Sequence, residues 1–382
     1  MRRSAILAAA LIVAACSSTP AGSPQAPGGA IVAHVGAVLS LTEDAAVYGA
    51  TQKNGLELAR DEINAAGKVR IELVIEDDAS DPATGITAFQ KLINHQDRIA
   101  AIIGPTLSNT AASADPKAQE AGVPVLGVSN TAAGITDIGD FIFRNSLTEG
   151  QVIPNTIAKA KSTYSLTKVA VMYGQDDAFT KSGYDVFAQA LADTGINVLT
   201  TETFAKGDKD FSAQLTTIVT MEPDAIVVSA LAPEGSLILQ QARTAGFAGP
   251  IIGGNGFNSP TVITNAGAAA EGLVVGAAWN SASENPENKA FLAAYQGKFN
   301  AAPDQFAAQA YSGLKIIAAA IEAAGSADRV AIKSALATKV NGILVPLGSF
   351  SFTPTRDADH LAVVQIVKDG EFQIVSEAAA RE

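Results

Sequence analysis

At 382 residues the chain is longer than one hydrophobic core usually organises, so two domains are expected. A net charge of −12 with no lysine or arginine cluster argues against nucleic acid, whose recognition rests on neutralising phosphates. A single cysteine rules out an intrachain disulfide, and 48% hydrophobic residues with 6% aromatics and 33 glycines fit an α/β protein rich in Ala, Val and Ile.

The chain opens on MRRSAILAAALIVAAC, two arginines and an uncharged run from Ala5 to Ala15 ahead of the one cysteine, Cys16. That run is too short to span a bilayer and has the layout of a secretory signal. Val13-Ala14-Ala15-Cys16 resembles the bacterial lipobox, which implies cleavage before Cys16 and a diacylglycerol on its thiol. Residues 1–15 are then the signal, and residues 16–30, containing SSTPAGSPQAPGG, a flexible tether. The alternatives are an ordinary signal with an incidental cysteine, or twin-arginine export, for which Arg2-Arg3 lacks the rest of the motif. No second long apolar run follows, so a soluble body held to a membrane through its lipid is expected.

From Ile31 onward, short β-branched runs alternate with helical stretches: IVAHVGAVL before a helix through GLELARDEINAAG, RIELVIED before ATGITAFQKLINH, RIAAIIG before NTAASADPKAQEAG, then VPVLGV. In the first helix Leu56, Ala59 and Ile63 recur at helical spacing, and Gly67 stands where a C-cap belongs. A second set follows, with strands KVAVMYG, INVLTTETF and AIVVSAL and helices SGYDVFAQALADTG, FSAQLTTIV and EGSLILQQARTAG. Such alternation predicts parallel sheets wrapped by helices, here in two α/β lobes.

Open parallel sheets bind ligands beyond the carboxyl ends of their strands, where helix N-termini present unpaired N–H groups. Those ends carry Pro105-Thr106-Leu107-Ser108-Asn109-Thr110, Ser129-Asn130-Thr131 and Asn255-Gly256, with Tyr48 after the first strand. Taken singly, Ser108 or Asn109 is a good helix cap and Asn255-Gly256 a good turn. Two hydroxyl and amide clusters at the ends of adjacent strands favour a small-molecule site.

The stretches AVLSLTEDAAVYGATQKNGLELARDEINAAG, IEDDASDPATGITAFQKLI, AAIIGPTLSNTAASADPKAQEAGVPVLGVSNTAAGIT with FIFRN, GDKDFSAQL, ILQQARTAGF and AAAEGLVVGAAW carry a resemblance in this order. The chain resembles the type I periplasmic binding proteins, and among them the leucine/isoleucine/valine-binding receptors of ABC importers. The resemblance implies two Rossmann-like lobes with parallel sheets, joined by three hinge crossovers near Ser146, Ala278 and Leu347. Residues 31–146 and 278–346 would form one lobe, residues 147–277 and 347–382 the other. It further implies a monomer outside the cytoplasm that closes on a small ligand and delivers it to permease and ATPase subunits, without a cofactor. A ligand-sensing receptor of the same fold, uncoupled to transport, is the alternative.

Carried over from that group, Ser108 is the hydroxyl that receives a ligand carboxylate, helped by N–H groups around Ser108 and Asn109. Thr131, with Asn130 beside it, contacts carboxylate and amine; Tyr48 and Phe179 line the side-chain pocket. The chain departs from the group at Asn255, where amino-acid-binding members place a glutamate that pairs with the ligand ammonium. A buried ammonium without a countercharge costs several kcal/mol, so the ligand is expected to be an amide or carboxylate unless Glu234 or Asp177 supplies the charge.

An enzyme would need a nucleophile and a base, yet His34, His95 and His360 fall on a strand, a helix and a late loop, outside any serine or cysteine motif. They lack metal-ligand spacing, IIGGNGFNSP lacks Walker spacing, and IEDDASD lacks that of a calcium loop. A binding protein without metal or catalysis is the expectation.

Overall fold

The computed structural model of the chain describes residues 29–379, so the expected signal and lipid attachment at Cys16 lie outside the described residues. The first sheet is built from β1 (Ile31–Leu39), α1 (Ala46–Ala66), β2 (Val69–Asp77), α2 (Pro82–Ile93), β3 (Ala101–Ile103), α3 (Ser108–Glu120), β4 (Val125–Gly127) and β5 (Ile142–Arg144). Its strands lie in the order β2-β1-β3-β4-β5, all parallel. The apolar runs form strands because both faces are covered by helices, and Gly67, at φ 76°, ends α1 as its spacing predicts.

The chain then passes to a second sheet through α4 (Glu149–Tyr164), β6 (Lys168–Gly174), α5 (Ala178–Asp193), β7 (Asn197–Phe204), α6 (Ser212–Thr220), β8 (Ala225–Ser229), α7 (Ala232–Thr244), β9 (Ile251–Gly253), α8 (Pro260–Ala266) and β10 (Val274–Ala277). It returns with α9 (Pro286–Phe299), α10 (Gln305–Ala324) and α11 (Arg329–Lys339), which bury their apolar faces in the core that also holds Val35, Ala37 and Leu56. Helix α10 lies so close along α1 that a Cβ on Gly55 would stand 2.3 Å from the Ala307 carbonyl oxygen; only glycine admits that approach.

Strands β11 (Ile343–Val345), β12 (Gly348–Phe352) and β13 (Ala358–Asp359) form a small antiparallel sheet, and β14 (Leu361–Lys368) and β15 (Glu371–Ala379) add to the second sheet as antiparallel strands. The second sheet therefore reads β15-β14-β10-β9-β8-β6-β7. The third passage between lobes, expected near Leu347, occurs at His360 instead. Phe350 and Leu347 sit in the first-lobe core and Phe352 packs edge-on to Phe143, while Arg144 pairs with Asp357, so β12 and β13 are held on the first lobe. The two antiparallel strands β14 and β15 also qualify the expectation of parallel sheets: the second sheet is mixed. Among the described residues no helix is long and apolar enough to cross a membrane.

Candidate functional site

The carboxyl ends of both sheets converge on a cavity of about 20 Å³ between the lobes. From the first lobe it is lined by Tyr48, Thr106, Leu107, Ser108, Ser129 and Phe306, from the second by Phe179, Leu231, Asn255 and Gly256. That volume admits about one water. A solute of amino-acid size therefore enters only when the lobes part.

Among the helices that start at the cavity, α3 and α7 both have leucine at the N-cap, Leu107 and Leu231, with no side-chain cap. Seven other helices, α2, α4, α5 and α8 to α11, carry a side-chain cap from Asp81, Thr148, Asp177, Ser259, Asn285, Asp304 or Asp328. Ser108 is thus the first residue of α3 rather than its cap. The uncapped N–H groups of that helix remain for an anion, with the helix dipole behind them.

The hydroxyl of Ser108 accepts from the Thr131 and Ala132 backbone N–H groups, each at 3.2 Å, which leaves its own proton to donate. Thr106 and Ser129 are spent within the wall. Thr106 Oγ1 donates to Gln52 Oε1 at 2.7 Å and accepts from Ser40 N–H, while Ser129 Oγ donates to the Thr106 carbonyl at 2.6 Å and accepts from Gln52 Nε2. Asn255 Oδ1 accepts from Gln305 Nε2 at 2.8 Å and Asn258 Nδ2 at 3.2 Å. What the cavity wall still offers is a set of donors.

Tyr48, Ser108, Phe179 and Asn255 meet at the cavity as the sequence suggested. Asn109, Asn130, Thr131 and Glu234 stand behind it. Asn109 bridges the lobes: its Nδ2 donates to Asp177 Oδ2 at 2.6 Å, and its Oδ1 accepts from Ala178 N–H at 2.7 Å. Asn130 braces its own loop, with Nδ2 donating to the Pro105 carbonyl. The Thr131 hydroxyl donates to Glu149 Oε1 at 2.7 Å, and Glu234 Oε1 accepts from Gly207 N–H at 2.8 Å. Leu231 and Phe306 were not legible in the sequence, because an apolar residue at a strand end or in a helix reads as core. Thr106, Leu107, Ser129 and Gly256 lay within the clusters already picked out.

Tyr48 closes the site across the lobes. Its hydroxyl donates to the Gly256 carbonyl at 2.8 Å and accepts from Ala232 N–H at 2.7 Å, and its ring lies tilted against Phe306 with centroids 4.5 Å apart. Gly256 permits this, since a Cβ there would lie 2.3 Å from the Ala230 carbonyl oxygen. Burial raises the Tyr48 phenol well above its ordinary value; Ala232 N–H opposes this, while the charges of Glu234, Asp177 and Asp304 add to it. Burial also raises Asp177 and Glu234, and takes Asp304 to about 6 and Glu149 to about 7.

The Glu149 shift gives a signed pH dependence. A carboxyl whose folded value is raised adds stability below its unfolded value, about 4.5, and that contribution is lost as pH rises through about 7. Asp304 acts in the same sense between 3.8 and about 6, whereas buried His360, lowered to about 4, opposes both by favouring the fold as pH rises from about 4 to 6.5. Glu149→Gln should therefore reduce the fall in stability between pH 4.5 and 7, by up to roughly 3 kcal/mol. Urea titrations across that range that superimpose for both proteins would refute the assignment.

Residues 33–371 match the family described as periplasmic binding protein. The chain is 30% identical over 307 residues to the Leu/Ile/Val-binding protein BraC3 of Rhizobium johnstonii, covering 79% of this chain and 82% of that one. It superposes on the branched-chain amino acid transporter substrate-binding protein LivJ of Streptococcus pneumoniae, in complex with isoleucine, with TM-score 0.85 and 29% identity over 90% of this chain and 99% of that one. A solute-binding protein of an ABC transporter from Rhodopseudomonas palustris, in complex with 3,4-dihydroxybenzoic acid, superposes with TM-score 0.82 and 25% identity over 92% and 98%.

Proposed function

Since the chain belongs to the periplasmic binding protein family, we propose that it is the solute receptor of an ABC importer and binds an amino acid, amide or small carboxylate between its lobes. The observation that carries this reading is the interlobe cavity, where the uncapped start of α3 and the Ser108 hydroxyl form a carboxylate seat. Neutral donors and a helix end can hold an anion without a full countercharge, which lets the ligand leave again. Closure then presents a two-lobed surface to the permease.

The test is a thermal-shift screen against amino acids, amides and aromatic acids, followed by calorimetry of any hit. A ligand at about 100 times its Kd adds roughly 2.7 kcal/mol of stability. Ser108→Ala should then weaken a carboxylate hit by about 1–3 kcal/mol, and unchanged affinity would remove Ser108 from the seat.

The lipobox resemblance at Cys16 supports an extracytoplasmic lipoprotein tethered by residues 16–30. Cys16→Ser should release the protein from carbonate-washed membranes while leaving ligand binding intact; full retention would defeat the anchor.

A further inference from the structure

We infer that an amide relay behind the cavity fixes the Asn255 side chain with its NH2 group toward the ligand, so that this end of the ligand must be a hydrogen-bond acceptor and not an ammonium. The inference rests on the binding reading above and names the ligand chemistry of that same site.

The direction of the relay is set at both ends by backbone groups, whose donor or acceptor character is fixed. Gln305 Oε1 accepts from Ala278 N–H at 2.6 Å, so Gln305 Nε2 is the atom left to reach Asn255, where it donates to Oδ1 at 2.8 Å. Asn258 Nδ2 donates to the Gly276 carbonyl at 2.8 Å, and the same nitrogen meets Asn255 Oδ1 at 3.2 Å. Asn258 Oδ1 in turn accepts from Gln365 Nε2 at 2.6 Å, which locks Asn258 against turning over. Asn258, Gln305 and Gln365 are all buried, so reversing one amide would face donor to donor and leave a buried group unpaired, at about 1–3 kcal/mol.

Asn255 therefore has its oxygen claimed twice and its nitrogen directed to the cavity it lines. With the Ser108 hydroxyl and the α3 N–H groups, the site presents donors toward both ends of a bound solute. A carboxylate with a carbonyl, hydroxyl or second carboxyl oxygen answers that pattern. An α-ammonium would meet N–H groups at the Asn255 end. Gln305, Asn258 and Gln365 are positioning residues: they act through Asn255.

The substitution that tests this lies outside the cavity lining. In Gln305→Glu one carboxylate oxygen keeps the Ala278 N–H bond, and the other draws the Asn255 NH2 to itself, turning the Asn255 oxygen toward the ligand at the cost of the longer 3.2 Å bond from Asn258. Calorimetry with leucine and with 4-methyl-2-oxopentanoate, which carries a carbonyl in place of the ammonium, should show the unaltered protein preferring the oxo acid. Gln305→Glu should shift that preference toward leucine by about tenfold or more. Leucine preferred by the unaltered protein, or an unshifted ratio in a folded Gln305→Glu, overturns the relay while leaving the receptor reading in place. NMR of the unaltered protein gives a second readout that needs neither variant nor ligand. NOEs from the Asn255 NH2 to the Tyr48 or Phe306 ring support the relay, and NOEs only to the Gln305 and Asn258 amides overturn it. If neither compound binds, the NOE pattern still decides the orientation.

Discussion

Replacing Arg144 by methionine should cost the fold about 3 kcal/mol, the low end of the loss expected when one partner of a buried ion pair is removed, because its partner Asp357 is partly exposed. Arg144 is 1% exposed, at the end of β5. Its Nε donates to Asp357 Oδ1, and its Nη1 donates to the Ala132 carbonyl at 2.7 Å and the Asn130 carbonyl at 3.4 Å. One side chain thus ties the β12–β13 hairpin to the loop that carries Ser129, Asn130 and Thr131. Asp357 keeps only a 3.3 Å bond from Thr136 Oγ1 and one from Thr355 at 3.4 Å when the guanidinium goes, and the Ala132 carbonyl loses its donor. The midpoint of urea denaturation should fall with little change in slope, and adding Asp357→Leu should restore part of the loss because the unpaired charge goes with it. A loss below about 1 kcal/mol would mean that water replaces Arg144 without penalty.

Tyr48→Phe should loosen closure rather than unfold either lobe. The ring, packed against Phe306, is kept, while the Gly256 carbonyl and the Ala232 N–H lose their partner only in the closed arrangement, because Tyr48 belongs to the first lobe and both partners to the second. An unpaired buried group costs about 1–3 kcal/mol, so two should move the open–closed equilibrium by roughly one and a half to four decades. Apparent affinity for any ligand that requires closure should fall by about tenfold or more, and small-angle scattering of the free variant should show a larger radius of gyration. The latch between Asn109 and Asp177 is a separate tie and limits the opening. Equal affinity and equal scattering in both proteins would show that the Tyr48 bonds do not hold the lobes.

Much of the fold was legible because its signals are local. Apolar β-branched runs at strand length, helical spacing of Leu56, Ala59 and Ile63, and Gly67 at a left-handed C-cap each depend on a few neighbouring residues. The third crossover was not. Leu347 follows a strand and reads as a plausible exit, but the buried Phe350 and the Arg144–Asp357 pair hold the next hairpin to the first lobe, a decision made by residues far apart in sequence.

The α/β class and the two lobes were legible in the sequence, as were the segments after the strands from which Tyr48, Ser108 and Asn255 come to line the cavity, because in parallel sheets helix starts gather at the strands' carboxyl ends. Which polar groups remain free depends on how the helices and lobes pack. Residue type gives Asn109, Asn130, Thr131 and Glu234 the capacity to bind a ligand, yet each spends hydrogen-bonding groups on a protein partner that sequence spacing does not reveal. The same is true of Phe306 and Gln305, brought to the site by α10, which rests against α1 at Gly55. A hydrogen bond is allotted by distance and direction in the folded chain, and those are set when the helices and lobes pack, so the donors left to a ligand could be counted only there.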